Sequence, residues 1–253
     1  MAIYPEGILP EGGASGNIPS GYIAKGGGKA YNNGSNGNPN GTPNGGNAGA
    51  NTGGGGGGAT YSNNIGGDGG SGIVIIKFST IKVAAKAKIA KAAKLSYSDF
   101  LPSYTNASLN FIYNTTFYIA FTSGTGSITF TKNTVCNILV VGGGGSGAVR
   151  HGGGGGAGAF ISKSYIFLAE KTYNITIGAG GEATINQGIG NRGNDTYIRL
   201  ADTDIFRAKG GGGGGQVSYG PGYGYAGGSG GGSSGGYTGL SEAPLSNLSL
   251  IHI

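Results

Sequence analysis

Residues 137–147 read Asn137-Ile138-Leu139-Val140-Val141-Gly142-Gly143-Gly144-Gly145-Ser146-Gly147; Ala148-Val149-Arg150-His151 and five more glycines, 152–156, follow. An apolar run of strand length passes directly into glycine. No stable helix can follow, because each glycine in a helix interior costs about 1 kcal/mol relative to alanine. Downstream the chain repeats this order of strand, glycine run, strand. Gly142, Gly144 and Gly147 do fit the G-x-G-x-x-G spacing of a dinucleotide-binding turn. That turn works only where the third glycine opens a helix whose amino end holds a pyrophosphate, with an acidic residue about 20 positions on. Here Glu170 lies beyond a second glycine run, so a nucleotide-binding enzyme is the weakest of the readings. The Gly-x-Ser-x-Gly match starting at Gly227 lacks a strand–turn–helix setting, and the chain's histidines are only His151 and His252. The expectation is a chain without catalytic residues, cofactor or metal.

Composition narrows the class. Glycine supplies 61 of 253 residues, without the every-third period of collagen. Only 10% of residues are charged and 37% are apolar, a composition that usually means disorder. Opposing that default are several strand patterns and enough aromatics, 15 Tyr and 9 Phe, to build a core. Cys136 is the single cysteine, which excludes an internal disulfide framework and suits a small buried hydrophobe. The first residues, Met1-Ala2-Ile3-Tyr4-Pro5-Glu6, do not read as a signal peptide, and no apolar run reaches the length of a membrane span. The +6 charge is local: Lys77, Lys82, Lys86, Lys88, Lys91 and Lys94 fall in a stretch without an acid, and elsewhere basic and acidic residues balance.

Along the chain, residues 1–72 are rich in Gly, Asn, Pro and Ser, with turn-forming pairs such as Asn33-Gly34, Asn36-Gly37 and Asn40-Gly41. Ile73-Val74-Ile75-Ile76-Lys77-Phe78 is apolar on both faces and reads as a buried central strand. The Lys/Ala-rich stretch that follows has no glycine and reads as a short helix or spacer. Further strands are expected at 110–113, 116–121, 127–131, 135–141, 159–161, 165–168, 173–177, 196–200 and 205–209, with 201–204 as a hairpin turn. Asp202 and Asp204 in that turn lack a third ligand for calcium and read as a polar turn. Nucleic-acid binding is disfavoured, since Arg-Gly-Gly repeats and aromatic stacking platforms are both missing.

An internal repeat organises the whole. Gly69-Gly70-Ser71-Gly72 leads into the apolar strand at 73–78, and the same tetrapeptide recurs as Gly227-Gly228-Ser229-Gly230 without one. Residues 1–78 therefore read as the C-terminal part of a glycine-rich repeat unit. Residues 79–99 read as a Lys/Ala-rich linker, and 100–253 as the N-terminal part of a second unit. Leu248-Ser249-Leu250-Ile251-His252-Ile253 resembles a translated sequencing adapter, so the chain reads as a fragment and His252 receives no functional weight. If the chain truly ends there, the two parts must instead complete one another's fold, with 73–78 supplying the missing strand.

Glycine runs have their own physics. Six residues in extended three-fold geometry span roughly 19 Å and have no internal hydrogen bonds. Packed side by side they exchange backbone hydrogen bonds and Cα–H···O contacts, and only together do they offset the entropy of ordering glycine. The runs at 53–58, 142–145, 152–156, 210–215 and 227–236 suffice for a small bundle.

The order of Asn137-Ile138-Leu139-Val140-Val141 with its glycines, Tyr173-Asn174-Ile175-Thr176-Ile177-Gly178-Ala179-Gly180-Gly181, Gly193-Asn194-Asp195-Thr196, Lys209 with glycines 210–215, and Gly70-Ser71-Gly72-Ile73-Val74-Ile75-Ile76-Lys77-Phe78 resembles the glycine-rich domains of large algal DNA viruses and phage tail adhesins. It is also similar in layout to the glycine-rich domain of anaplastic lymphoma kinase receptors. The resemblance covers most of 20–78 and 108–236. It implies an all-β fold, a jelly-roll or tumour-necrosis-factor-like β-sandwich with an inserted polyglycine-II-type bundle. It also implies a non-enzymatic protein on a virion or extracellular surface, partnered by copies of itself and by a host receptor or glycan. The alternative is a purely structural fibre or spacer. In phage adhesins, loops at the tips of such bundles touch the receptor. By position the corresponding segments here are 148–151, 182–192 and 216–225, and the candidate binding residues are Arg150, His151, Gln187, Arg192, Tyr219, Tyr223 and Tyr225.

Overall fold

A computed structural model describes residues 44–59, 65–79, 101–112, 116–150, 152–185, 188–216 and 222–234. The Asn–Gly turns at 33–41, the Lys/Ala-rich stretch from residue 80 on, the chain's last residues, and His151, Gln187 and Tyr219 lie outside the described residues. Among the described residues the fold is all-β, with no helix and therefore none long and apolar enough to cross a membrane.

Ten strands follow in order: β1 Ile73–Ser79, β2 Ser103–Thr105, β3 Ser108–Ile112, β4 Thr116–Phe121, β5 Thr125–Thr129, β6 Thr134–Val141, β7 Phe160–Phe167, β8 Thr172–Thr176, β9 Thr196–Leu200 and β10 Thr203–Ala208. They form two five-stranded sheets, ordered β3-β4-β1-β6-β7 and β10-β9-β8-β5-β2. Every pairing between named strands is antiparallel. β1 takes a central position, as its two apolar faces require: Ile76 lies opposite Ile119 of β4 on one side and Ile138 of β6 on the other.

Alternation fixes which face each side chain covers. Val74, Ile76 and Phe78 of β1 and Cys136, Ile138 and Val140 of β6 share one buried cluster with Ile128 of β5, Tyr173 and Ile175 of β8, Ile198 of β9 and Ala208 of β10. The two sheets thus meet across a single apolar core. The intervening residues Ile73, Ile75, Leu139 and Val141, with Ala120, form a second buried cluster on the opposite face of the first sheet. Aromatic rings run through the main core. Phe78 stacks on Phe117 with centroids 5.6 Å apart and meets Phe130 edge-on at 5.5 Å. Phe167 meets Tyr173 at 4.7 Å, and the Tyr173 hydroxyl accepts a hydrogen bond from the Leu168 amide at 3.0 Å. Edge-to-face pairs of this kind contribute about 0.5–1.5 kcal/mol beyond their buried area.

Three expectations change in detail. The stretches read as two strands at 159–161 and 165–168 are one strand, β7, paired with β6 along its whole length. Its polar middle, Ser162-Lys163-Ser164, is solvent-exposed, as an outer strand permits. The hairpin turn expected at 201–204 is tighter: Ala201 takes a left-handed conformation with φ 51°, and Thr203 and Asp204 already belong to β10. β2, in the second sheet, lies outside the expected strands, and β3, in the first sheet, begins at Ser108, earlier than the alternation at 110–113 suggests.

Cys136 is buried among the core residues, and burial pushes its thiol pKa up to about 12. Alkylation of the native chain at pH 8 should therefore be very slow and should become rapid in denaturant; fast native labelling would place Cys136 outside the core. Ile76→Ala, at the centre of both β1 ladders, should lower unfolding free energy by about 2–5 kcal/mol in denaturant titration.

Candidate functional site

Beyond the carboxyl end of β6 the chain leaves the sheet and becomes the axis of a glycine bundle. The amides of residues 142–148 point outward in turn. Those of Gly142, Gly145 and Ala148 donate to the carbonyls of Ala159, Gly156 and Gly153. Those of Gly143 and Ser146 donate to Asn194 and Asn191, and those of Gly144 and Gly147 to Gly70 and Gly67. Every third residue addresses the same neighbouring segment. Carbonyls along the same stretch accept from three further segments: Gly145 from the Gly56 amide, Gly144 from Gly181, and Gly143 from Gly211. The axis therefore donates to three segments and accepts from three others. The same step of three recurs away from the axis, where Gly152, Gly155 and Gly158 donate to Ala59, Gly56 and Gly53. The amides that a phosphate-binding turn would offer to a ligand are all engaged by backbone carbonyls here.

Such spacing has no room for side chains. A Cβ on Gly144 would sit on the Gly54 carbonyl, on Gly143 on that of Ala179, on Gly145 on that of Gly212, and on Gly147 on that of Gly57. Backbone cannot yield as a flexible side chain can.

Polar side chains fasten the bundle to the second sheet. Thr196 Oγ1 accepts a hydrogen bond from the Gly178 amide at 2.9 Å. Asp195 accepts from the Gly210 amide at 2.7 Å, from Arg207 Nε at 2.7 Å and from the Tyr197 hydroxyl at 3.2 Å. Burial pushes the Asp195 carboxyl up, but the Gly210 amide, Arg207 and Tyr197 pull it down further, leaving it below the ordinary carboxylate range. Arg199 lies over the Tyr197 ring, 4.0 Å from its centroid, and donates to Asp204 at 2.6 Å. Asp204, read in sequence as part of a polar turn, is thus committed to an arginine across the β9–β10 hairpin.

At the far end of the axis the expected loops come together. Val149 donates to the Gly188 carbonyl at 3.4 Å, and Gly153 to Gly215 at 2.9 Å. Arg150, half-buried, holds a left-handed backbone with φ 52°, a conformation that strains residues carrying a large side chain. Farther back on the flank, Arg192 lies over the ring of Tyr225, 4.7 Å from its centroid, and both are exposed. Tyr223 is half-buried two residues earlier. Sequence reading passed over the Asp195, Tyr197, Arg199 and Arg207 group. Its one visible signal is the alternation of Tyr197 and Arg199, which places them on the same face of β9.

These features define a class: an all-β chain whose strands open into a packed glycine-rich bundle. Residues 121–245, from the end of β4 through the bundle, match a family model described as a glycine-rich domain. Comparison with curated proteins and with solved structures gives no match.

Gly144→Ala should destabilise the chain by about 1–3 kcal/mol or more, whereas Gly188→Ala, whose Cβ would meet nothing closer than Thr184 at 3.5 Å, should be nearly neutral. Thermal unfolding of the two variants side by side checks this; equal effects would contradict the packing described. Because its folded pKa is lowered, Asp195 contributes stability that is present at neutral pH and lost as pH falls below about 4. Asp195→Asn should cost about 1 kcal/mol at pH 7, with the gap to the parent closing in acid denaturation curves.

Proposed function

We propose that this chain is a non-enzymatic structural and adhesive module, displayed on a virion or cell surface, that binds a host receptor or glycan through the loops of its glycine bundle. In its finer architecture we read the two sheets as a jelly-roll-type sandwich and the bundle as polyglycine-II rods. The three-residue step of the hydrogen bonds supports the rods, since a helix with three residues per turn turns the same side to each neighbour at every third position. Hydrogen exchange checks them: consecutive amides across 142–148 should all be protected, and coil-like exchange there would overturn the bundle.

The observation that carries the adhesive reading is the stacking of Arg192 on Tyr225 on the exposed flank, which joins two residues singled out from the sequence by loop position alone. An exposed ring with a guanidinium over it offers an apolar platform and hydrogen-bond donors together, the pairing that recognition of sugars or carboxylates uses. Arg150, half-buried and held at a left-handed φ at the loop end of the axis, is a second candidate contact. Binding of the full chain to a glycan array and to intact cells tests the reading. Arg192→Ala and Tyr225→Ala should each reduce binding about tenfold, the equivalent of roughly 1.4 kcal/mol, with the melting temperature little changed. Arg150→Gly should raise stability by about 1 kcal/mol and weaken binding. A chain that binds no glycan and no cell would overturn adhesion.

A further inference from the structure

β1 fills a slot one strand wide, between β4 and β6. In the first sheet β4 and β6 are separated in sequence by β5, which belongs to the other sheet, so nothing but β1 joins them. It pairs with β4 from Val74 opposite Phe121 to Ser79 opposite Thr116, and with β6 from Ile73 opposite Val141 to Phe78 opposite Cys136. Removing it would leave two facing strand edges with open backbone donors and acceptors, a template for any strand of matching pattern. The residues before β1 belong to the same insertion. Gly56 and Ala59 donate to Gly145 and Ala148 of the bundle axis, and Gly70 and Gly67 accept from Gly144 and Gly147. Residues 44–59 and 65–79 thus enter the structure as one body, in the sheet and in the bundle.

Among the described residues that body is held by no disulfide and no ion pair. Cys136 is a free thiol, and both ion pairs among the described residues lie in the second sheet, between Arg199 and Asp204 and between Arg207 and Asp195. Its one covalent tie to the strands it completes is the stretch of 21 residues from 80 to 100, which can reach up to about 70 Å when extended. A second copy of the chain presents the same strand with the same side chains and hydrogen-bonding groups. The slot has no means of telling the two apart except the local concentration that the tether supplies. Gly227-Gly228-Ser229-Gly230 repeats the tetrapeptide that leads into β1 but stays in the bundle, where Ser229 donates to Ala157 and Gly228 to Gly210. Among the described residues there is therefore one slot and one strand that fits it.

We propose that the segment formed by residues 44–59 and 65–79 is an exchangeable strand donor, and that the slot between β4 and β6 accepts β1 of this segment from a second copy of the chain, linking copies by traded β1 strands. This inference does not rest on the adhesive reading.

The register supplies the test. Lys77 of β1 lies opposite Asn137 of β6, both half-buried, and residues opposed in a ladder are close enough for a disulfide. In full-length chains carrying Cys136→Ala, one copy receives Lys77→Cys and a differently tagged copy receives Asn137→Cys. The two are mixed, unfolded and refolded together over a range of protein concentrations, then oxidised. Exchange predicts a disulfide-linked heterodimer at twice the chain's mass whose fraction rises with concentration. It predicts loss of that product when the second copy carries Lys163→Cys, on β7 away from the slot. A single chain carrying both Lys77→Cys and Asn137→Cys should close its own disulfide at low concentration. Closure within the double variant with no heterodimer at any concentration would overturn exchange and leave β1 bound only in its own chain. Failure of the double variant to close would overturn the placement of β1 itself. Neither result bears on receptor or glycan binding, which the array reads separately.

Discussion

The structure depends on how closely peptide backbones approach one another around residues 142–148. Hydrogen bonds from one segment to six others require that side chains be missing from nearly every point of contact, and the positions where a Cβ would meet a carbonyl are where glycine stands. Ordering glycine is costly, since it loses more conformational freedom than any other residue. A single extended run in water could not meet that cost, because it has no hydrogen bonds of its own. Collective pairing changes the balance. Each added segment supplies partners to several others, so the bundle forms as a whole or not at all.

The sheets supply what the glycines lack, namely a way to fix position. β6 runs out of the core at Val141 and delivers the axis in a set direction, while β1, β7 and β8 deliver or receive neighbouring segments at the same edge. Thr196 and Asp195 then bind the amides of Gly178 and Gly210 where bundle and sheet meet. Burial in the core stabilises the strands by about 25 cal/mol per Å2 of apolar surface removed from water, and part of that stability is carried outward into the bundle through these junctions. Function, on the reading proposed above, lies at the end of that chain of support: loops held by rods, rods held by sheets.

Much of the sheet structure was legible in the sequence because side chains carry period-two information. The apolar run Ile73-Val74-Ile75-Ile76 has both faces apolar, and β1 is central, with one face in each of two buried clusters. β7 reads as two pieces because Ser162-Lys163-Ser164 interrupts its apolar pattern; an outer strand tolerates that interruption, since its ladder to β6 needs only the backbone. Glycine carries no such information. The runs announced that a bundle would form, but nothing in a row of identical residues says which run lies beside which. The link from Asp195 to Gly210 and Arg207 was hidden for a related reason: one partner is a main-chain amide, and the other lies across a hairpin. Of the candidate loop residues, position along the chain brought Arg192 and Tyr225 to the same list, but their contact depends on the path of residues 222–234, which no local pattern encodes.

The step of three in the hydrogen bonds has a consequence for how such a chain can change over generations. Two side chains on the glycine-rich segments also keep to that step: Asn44 and Asn47 accept from the amides of Ile65 and Asp68, three residues apart in both segments. On the polyglycine-II reading proposed above, adding three glycines to a run lengthens it by about 9 Å and returns every later donor to the neighbour it had before. Adding one or two turns all of them toward the wrong segment. Length in this architecture is therefore a quantity with a unit, and the reading frame of the gene is echoed, one level up, by a frame of three residues in the folded chain.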